Sequence, residues 1–187
     1  MNSLEILGFL SKIPSHTVGV FPADKIPRLW TKPVAFVFNT QGNSLPGQHW
    51  VAVYVNRNGQ GLFFDSYGLP PYVINHVRRI RKNCKQFTWN TRPLQSDTSN
   101  VCGQFCIMFL NYMSRGNKMK DFINIFTTDL RRNDKIAKSY VERLKRKSNN
   151  KKKKRRDTSI SQSEAAFGNG LNDQRRLQNC NCKTLLL

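Results

Sequence analysis

The stretch VCGQFCIMFLNYM, residues 101–113, decides the fold of this chain because it is apolar on nearly every side. A surface helix carries an apolar stripe with a period of about 3.6 residues, whereas a helix that is apolar all round lies buried inside a domain. We therefore predict a buried helix here, with Cys102 at its start. Cys106, one helical turn further on, is expected to be an ordinary core cysteine.

Two β-rich runs before this helix form a predicted hairpin. They are HWVAVYV at 49–55 and GLFFD at 61–65. The connection contains Asn58-Gly59, which supplies the positive φ angles of a tight turn. With the turn there, the numbers of paired residues add up to about 117. This register places His49 opposite the segment just after Asp65, so both side chains are expected at one end of the sheet.

The remaining patterns complete an α+β domain without internal repeats. They predict a short N-terminal helix with Leu4, Leu7 and Leu10, a buried strand at Val34–Phe38, an amphipathic helix with Val73, Ile74, Val77 and Ile80, a helix at Asp121–Thr127, and a last helix from an Asn133 cap through Ile136, Tyr140 and Leu144.

The chain is strongly basic, with 31 Lys+Arg, 11 Asp+Glu and a formal net charge of +20. Residues 1–144 carry +11, and residues 145–187 carry +9 on under a quarter of the length. The second segment begins with a dense basic run and lacks apolar periodicity. We therefore predict a folded domain over 1–144 and a mobile tail over 145–187.

Such charge indicates a polyanionic partner, either nucleic acid or an anionic membrane surface, and DNA is the partner we expect. For the basic run in the tail, a solvated segment, a nuclear-import signal and a nucleic-acid clamp all stay open. The candidate nucleic-acid-binding residues are Arg78, Arg79, Arg81, Lys82, Lys151, Lys152, Lys153, Lys154, Arg155 and Arg156.

Several classes of protein are not expected. No apolar run approaches the ~20 residues that span a bilayer, and the N-terminus lacks the basic region of a signal peptide. Neither a transmembrane or secreted protein nor a membrane partner is therefore predicted. The five cysteines are odd in number and lack zinc-ribbon spacing, which argues against a disulfide framework and a structural zinc site.

The groups of a nucleophilic site stand at the ends of these predicted elements. Cys102 at a helix N-terminus would have a lowered pKa, and a nearby His49 would lower it further. Asp65 can orient the imidazole, and the loop before the helix can aim the Gln95 amide at an oxyanion. Each residue alone has an ordinary structural explanation, but nucleophile, base, orienter and oxyanion donor together indicate acyl transfer.

The same residues carry a family resemblance. His49-Trp50, the Phe-Asp-Ser-Tyr-Gly stretch at 64–68, and Gln95 followed seven residues later by CGQFC at 102–106 resemble the adenovirus endopeptidase (adenain) family of cysteine proteases. Through this family they are also similar to the SUMO-specific (ubiquitin-like) proteases. The likeness extends from the Phe21-Pro22 region to about residue 126.

The resemblance implies a papain-like, adenain-type fold with a central mixed sheet and a buried helix that starts at the nucleophile. It places the catalytic roles on His49, Asp65 and Cys102, the oxyanion role on Gln95, and an active-site wall on Trp50. It further implies peptide hydrolysis through a thioester acyl-enzyme, with no metal or organic cofactor.

Three functions stay open. Virus-like members of this family cut structural precursors at glycine-containing sites, whereas SUMO-type members cut after Gly-Gly and usually carry a larger recognition domain, for which 144 residues leave little room. We therefore expect a monomeric maturation protease of an adenovirus-related virus or a Polinton (Maverick) element, acting in the host nucleus or the virion. The third is a catalytically inactive DNA-binding module, against which the intact catalytic set argues.

The resemblance also points to activators. Adenoviral proteases are stimulated by DNA and by a short basic peptide that forms a disulfide with the enzyme. Cys84, eleven residues before Gln95, resembles the peptide-linking position. An ordinary free cysteine in a basic loop is the alternative.

The tail contains a sequence that resembles the family's Gly-Xaa-Gly cleavage pattern, at Phe167–Leu171. Cleavage between Asn169 and Gly170 would release a basic peptide with two cysteines, Cys180 and Cys182. We therefore predict an activator encoded in cis and captured by the cysteine at position 84, although Ala166 departs from the larger apolar residue that the pattern prefers.

Overall fold

The computed structural model describes residues 1–13 and 17–150. The elements, in chain order, are α1 (Ser3–Leu10), β1 (Thr17–Phe21), β2 (Val34–Asn39), β3 (Trp50–Val55), β4 (Gln60–Phe64), α2 (Ile74–Asn83), β5 (Gln86–Trp89), α3 (Cys102–Met113) and α4 (Met119–Ile123). A further helix, α5, begins at residue 130.

The five strands form one mixed sheet in the order β1-β2-β3-β4-β5. The central pairs β2–β3 and β3–β4 are antiparallel, and the two edge strands pair in parallel with their neighbours. The predicted fold class, an α+β domain with a central mixed sheet and a buried helix that starts at Cys102, is confirmed.

Helices cover both faces of this sheet, which explains why all six residues of β2 are buried. On one face, α3 packs through Phe109, whose ring stacks on Phe64 of β4 with centroids 4.7 Å apart. On the other face, Ile80 of α2 and Trp30 join the inward-facing aromatic residues of β2 in one cluster. The packing against the sheet therefore positions α3, which begins at Cys102.

The hairpin register is the feature that positions the site. Val53 pairs with Phe63, so the numbers of paired residues add up to 116, one less than predicted. Gly59 adopts a positive φ of 84° in the turn. His49 lies immediately before β3 and Asp65 immediately after β4. The hairpin therefore brings both side chains to the same end of the sheet.

The two edge strands, β1 and β5, were not predicted from the sequence. β5 is only four residues long and mostly exposed, and β1 is five residues long and contains Gly19, so neither shows buried alternation. The helix predicted at Asp121–Thr127 occurs at Met119–Ile123.

The predicted Asn133 cap is wrong. The Oδ1 atom of Asp129 accepts a hydrogen bond of 3.0 Å from the backbone N–H of Arg132, so Asp129 caps α5. Asn133 is instead fully buried inside the helix, where its amide donates to the backbone oxygen of Thr127 at 3.0 Å.

The chain divides into a unit covering Met1–Glu142 and a second unit that begins at Arg143. In the second unit, residues 143–150 are helical, and residues 151–187 lie outside the described part of the chain. The boundary at 144 and the mobile tail remain predictions. Within the ranges 1–13 and 17–150, no helix is both long and apolar enough to cross a bilayer.

Candidate active site

Cys102 occupies the first position of α3 and is 8% exposed. The residue before it, Val101, makes no side-chain capping bond to the helix. The first backbone N–H groups of an α-helix have no intrahelical partner, and their positive end of the helix dipole stabilises negative charge. The start of α3 therefore favours a thiolate at Cys102.

His49 and Asp65 form a buried hydrogen-bonded pair. The Nε2 atom of His49 lies 2.9 Å from Oδ1 of Asp65, and the carboxylate is fully buried. The backbone N–H of Tyr67 donates to the same oxygen at 2.8 Å. Because Nε2 is engaged by Asp65, Nδ1 is the ring nitrogen left to face a thiol.

The electrostatics couple His49 to Cys102. Burial alone would lower the pKa of His49, but hydrogen bonds to Asp65 and Cys102 and the charges of both outweigh it and raise the pKa to about 9. Burial likewise raises the pKa of Cys102, but the hydrogen bond and charge of His49, with backbone hydrogen bonds from Trp50 and Gly103, lower it overall. Both shifts favour the imidazolium and the thiolate over the neutral pair.

The Gln95 side chain is 2% exposed and held at both ends. Its Oε1 accepts from the Ser66 hydroxyl at 2.7 Å. Its Nε2 donates to the backbone oxygen of Ser99 at 2.8 Å and, over a longer 3.3 Å, to the hydroxyl of Tyr67. The hydroxyl of Ser66 thus fixes the orientation of the amide, so that its N–H groups face Tyr67 and Ser99.

Three residues without an assigned role in the sequence turn out to support the site. The amide of Asn90 brackets the backbone of Asp65, accepting from its N–H at 3.0 Å and donating to its oxygen at 2.7 Å. The ring of Tyr67 stacks on His49 with centroids 4.8 Å apart, and Ser66 holds Gln95. The role of Asn90 could not be predicted because this residue follows β5, a strand that the sequence does not indicate. Ser66 and Tyr67 lie inside the motif at 64–68, which is the signal that could have identified them.

Trp50 is the residue predicted to form a wall of the active site, and that role remains a prediction. It is partly buried and lines, together with Cys102, a cleft of about 420 Å³. Its indole N–H donates to the backbone oxygen of Met1 at 3.3 Å. The Sγ atom of Cys106 contacts the Trp50 backbone oxygen at 3.3 Å, and full burial raises the pKa of this thiol well above its usual value. Cys106 is therefore placed as a core cysteine.

Cys84 lies away from these groups, at the C-terminal end of α2. It is partly buried and packs against the apolar cluster on that face of the sheet. Burial raises the pKa of its thiol to about 11, and the charge of Lys32 lowers it by less. A high pKa reduces the thiolate that disulfide exchange needs. Its role as an activator site remains a prediction.

The basic residues predicted to bind nucleic acid are not part of the site. Arg78, Arg79, Arg81 and Lys82 lie on α2, on the sheet face opposite α3, and all but Arg79 are exposed. The tail residues Lys151, Lys152, Lys153, Lys154, Arg155, Arg156, Asn169 and Gly170 lie outside the described residues. In the described part of the chain, no group of three or more His, Cys, Asp or Glu side chains could hold a metal ion.

Comparisons with known proteins give a distant relative. No protein-family model matches the chain. A candidate thiol protease of Acanthamoeba polyphaga mimivirus is 29% identical over 101 residues, which represent 49% of this chain and 33% of the relative. The match thus spans about a third of the relative's length.

Two crystal structures of a protease from ASFV also resemble the chain. One is 20% identical with a TM-score of 0.43 and covers 56% of this chain and 41% of its own. The other, a selenomethionine form, is 21% identical with a TM-score of 0.39 and covers 58% and 44%. Because these values are low, the assignment of the site rests on the contacts within the chain. Those contacts place a thiol, an imidazole and a carboxylate as acyl transfer requires.

Proposed function

We propose that this chain is a cysteine endopeptidase that cleaves peptide bonds through a thioester acyl-enzyme. The observation that carries the proposal is the position of His49 between the buried carboxylate of Asp65 and the thiol of Cys102. A thiolate at a helix N-terminus, paired with an imidazolium that a carboxylate orients, is the arrangement that thiol acyl transfer requires.

In the acylation step, the Cys102 thiolate attacks the carbonyl carbon of the scissile bond and a tetrahedral oxyanion forms. His49 then transfers the proton on Nδ1 to the leaving amine, the C–N bond breaks, and a thioester remains. In the deacylation step, neutral His49 takes a proton from water, and the resulting hydroxide attacks the thioester. The thiolate leaves and the imidazolium is restored, so protons balance over one turnover.

The oxyanion is stabilised in this proposal by the backbone N–H of Cys102 and by the amide of Gln95. Both amide hydrogens of Gln95 are engaged in the structure. The bond to Tyr67 is the longer, at 3.3 Å against 2.8 Å for Ser99. We therefore expect substrate to take the N–H that faces Tyr67, while Ser66 and Ser99 keep the amide in place.

The proposed substrates are structural precursor proteins of a virus or virus-like element, cut at glycine-containing sites during particle maturation. The similarity to a viral thiol protease supports the viral setting. The net charge of +20 supports DNA as a partner, which would hold the enzyme on packaged nucleic acid in the host nucleus or the virion. A Gly-Gly substrate of the SUMO type is the competing possibility that the assay below distinguishes.

The proposed activation adds the tail. Cleavage between Asn169 and Gly170 would release a basic peptide, and Cys84 would capture it by disulfide exchange. Mass spectrometry of active protein under non-reducing conditions should detect the cleaved, disulfide-linked peptide. An active preparation with an intact tail and a free Cys84 would contradict this proposal.

The test of the proposed function is cleavage of Gly-Xaa-Gly peptides and SUMO-type Gly-Gly substrates, each with and without duplex DNA. We expect the wild-type chain to cleave the Gly-Xaa-Gly peptides and the Cys102→Ala variant to be inactive. Cys106→Ala, the same substitution one helical turn further on, serves as the matched control and should keep its activity. Stimulation by DNA should fade with rising salt. Preferential cleavage of the SUMO-type substrate would make a deconjugating enzyme the better assignment.

A further inference from the structure

Tyr67 contacts three of the four groups that the proposed mechanism uses. Its ring stacks on the imidazole of His49 with centroids 4.8 Å apart, and its backbone N–H donates to Oδ1 of Asp65 at 2.8 Å. Its hydroxyl oxygen accepts from Nε2 of Gln95 at 3.3 Å. These three partners are buried, whereas Tyr67 is partly exposed. Tyr67 is therefore the member of this group that a substrate reaches most easily.

The backbone fixes the position of Tyr67 relative to Gln95. Tyr67 lies in a tight turn that ends at Gly68, where φ is 76°. An added Cβ on Gly68 would lie 2.8 Å from the backbone nitrogen of Pro93, so the turn packs directly on the segment before Gln95. The backbone oxygen of Ser66 accepts from the N–H of Gln95 at 3.0 Å and ties the two segments together. The approach of the Tyr67 hydroxyl to the Gln95 amide is thus built into the fold.

The hydroxyl of Tyr67 has a hydrogen to donate. A phenol both accepts and donates hydrogen bonds. In the described part of the chain, this hydroxyl accepts from Gln95 and donates to no other group. Burial raises the pKa of Tyr67, and the charges of Cys102 and Asp65 raise it further. The hydroxyl therefore keeps its proton near neutral pH, and that proton is available to a substrate.

The hydroxyl and the amide are spaced so that one oxygen atom can bind both. Oη of Tyr67 and Nε2 of Gln95 are 3.3 Å apart. An oxygen placed about 2.9 Å from each of them completes a triangle of ordinary hydrogen-bond lengths. In the proposed mechanism, the oxyanion takes the N–H of Gln95 that faces Tyr67. It therefore lies beside the hydroxyl as well, and the long bond between Tyr67 and Gln95 is the one that yields.

We propose, on the basis of the proposed protease function, that Tyr67 is a further catalytic residue whose hydroxyl donates a hydrogen bond to the oxyanion, beside the Gln95 amide and the Cys102 backbone N–H. A hydrogen bond to an anion is stronger than one to a neutral carbonyl, so this bond strengthens as the tetrahedral intermediate forms. Tyr67 keeps its proton throughout. Because acylation and deacylation each pass through a tetrahedral oxyanion, the hydroxyl lowers the barrier of both steps.

The test is Tyr67→Phe, which removes the hydroxyl and keeps the ring and the backbone N–H. We expect kcat/KM for a glycine-containing peptide to fall about 10- to 100-fold, mainly through kcat. This is less than the loss of about 10²–10³ in kcat for a fully enclosed oxyanion donor, because water can partly replace a hydroxyl at a partly exposed residue. Tyr72→Phe is the matched control: its side chain is 59% exposed, and the variant should keep the wild-type activity.

Alkylation of Cys102 by iodoacetamide distinguishes an oxyanion donor from a structural residue. Alkylation displaces iodide from a saturated carbon and forms no oxyanion, so a group that acts only on the oxyanion does not affect it. Tyr67→Phe should therefore keep the wild-type alkylation rate and its pH profile while it loses cleavage. A residue that merely supports the imidazole of His49 would change both.

The outcomes separate the two proposals. An unchanged kcat/KM in Tyr67→Phe overturns the inference, and so does an increase, which would show that the hydroxyl competes with the substrate for Gln95. Alkylation that slows in step with cleavage also overturns it, because Tyr67 would then act through the ion pair. In these cases the wild-type chain still cleaves, and the protease function stands. If the wild-type chain cleaves no glycine-containing peptide, the proposed function fails, and the inference fails with it.

Discussion

Replacement of His49 by glutamine gives a quantitative test of the ion pair. In the wild-type chain, the hydrogen bond and charge of His49 are the main factors that lower the pKa of Cys102. Without them, burial is the largest remaining influence, and burial raises the pKa of a thiol. In His49→Gln, the pKa of Cys102 should therefore return to the ordinary value of about 8.5 or rise above it.

The size of the effect follows from the ionised fraction. A thiol with a pKa of about 8.5 is only about 3% ionised at pH 7. If the wild-type pair is ionised at that pH, the alkylation rate should fall about 30-fold. The greater intrinsic nucleophilicity of the more basic thiolate offsets part of this loss. The expected net decrease at pH 7 is about threefold, and larger if burial raises the pKa above 8.5, and the rate should recover as the pH rises above 8.

The assay is the rate of iodoacetamide alkylation from pH 5 to 10, followed on the peptide that contains Cys102. Fragmentation of that peptide in the mass spectrometer locates the label on Cys102 and separates it from Cys106, which lies on the same peptide. His76→Gln is the matched control: His76 is 1% exposed, and burial lowers its pKa to about 4 despite its bond to the Asn39 backbone. It should keep the wild-type profile. An unchanged Cys102 profile in His49→Gln would refute the ion pair.

Three further predictions follow from the same geometry. The value of kcat/KM should fall as the pH rises through about 9, because the imidazolium of His49 then loses the proton that the leaving amine needs. In Asp65→Asn this fall in the pH profile should occur at lower pH, and kcat should decrease about 10²–10⁴-fold. A fall at the wild-type pH would contradict the role of the carboxylate. Asn90→Ala should lower kcat about tenfold and the free energy of unfolding by about 1–3 kcal/mol, because the backbone of Asp65 loses both hydrogen bonds to the Asn90 amide. Steady-state kinetics and urea titration measure the two effects. A loss of stability with unchanged kcat would show that these hydrogen bonds are only structural. Phe109→Ala removes a fully buried ring and should lower the free energy of unfolding by about 3–5 kcal/mol in the same titration. A decrease below about 1 kcal/mol would contradict the packing of α3 on the sheet.

The centre of the fold could be predicted because strong local signals agree there. The all-round apolar stretch defines α3, and the Asn-Gly turn fixes the hairpin to within one residue of its register. That register alone brings His49 and Asp65 to one end of the sheet. Strand alternation and turn chemistry act over a few residues, so the sequence exposes them directly.

The supporting contacts were not predictable in the same way. Asn90 reaches Asp65 across 25 residues of sequence, from the end of an exposed four-residue strand that shows no pattern of its own. The prediction of the α5 cap was wrong for a different reason. Asn133 is a good capping residue by type, but Asp129 stands closer to the actual start of the helix, and the buried Asn133 binds Thr127 instead.

The ionisation of the site also could not be predicted from the sequence without the structure. The sequence indicates that a histidine near a helix N-terminus lowers the pKa of a cysteine. It does not reveal that burial opposes this effect, nor that Asp65 is fully buried beneath the imidazole. The balance between desolvation and charge decides whether the thiolate forms, and that balance depends on the depth at which each group lies.

The central claim is that Cys102 forms a thioester with the acyl part of a peptide substrate. The most direct measurement is the intact mass of the protein after acid quenching, during turnover of a glycine-containing peptide, for the wild-type chain and for Cys102→Ala. We expect a mass increase equal to the acyl fragment, located on Cys102, and neither adduct nor cleavage in the variant. Cleavage by Cys102→Ala at the wild-type rate would contradict it.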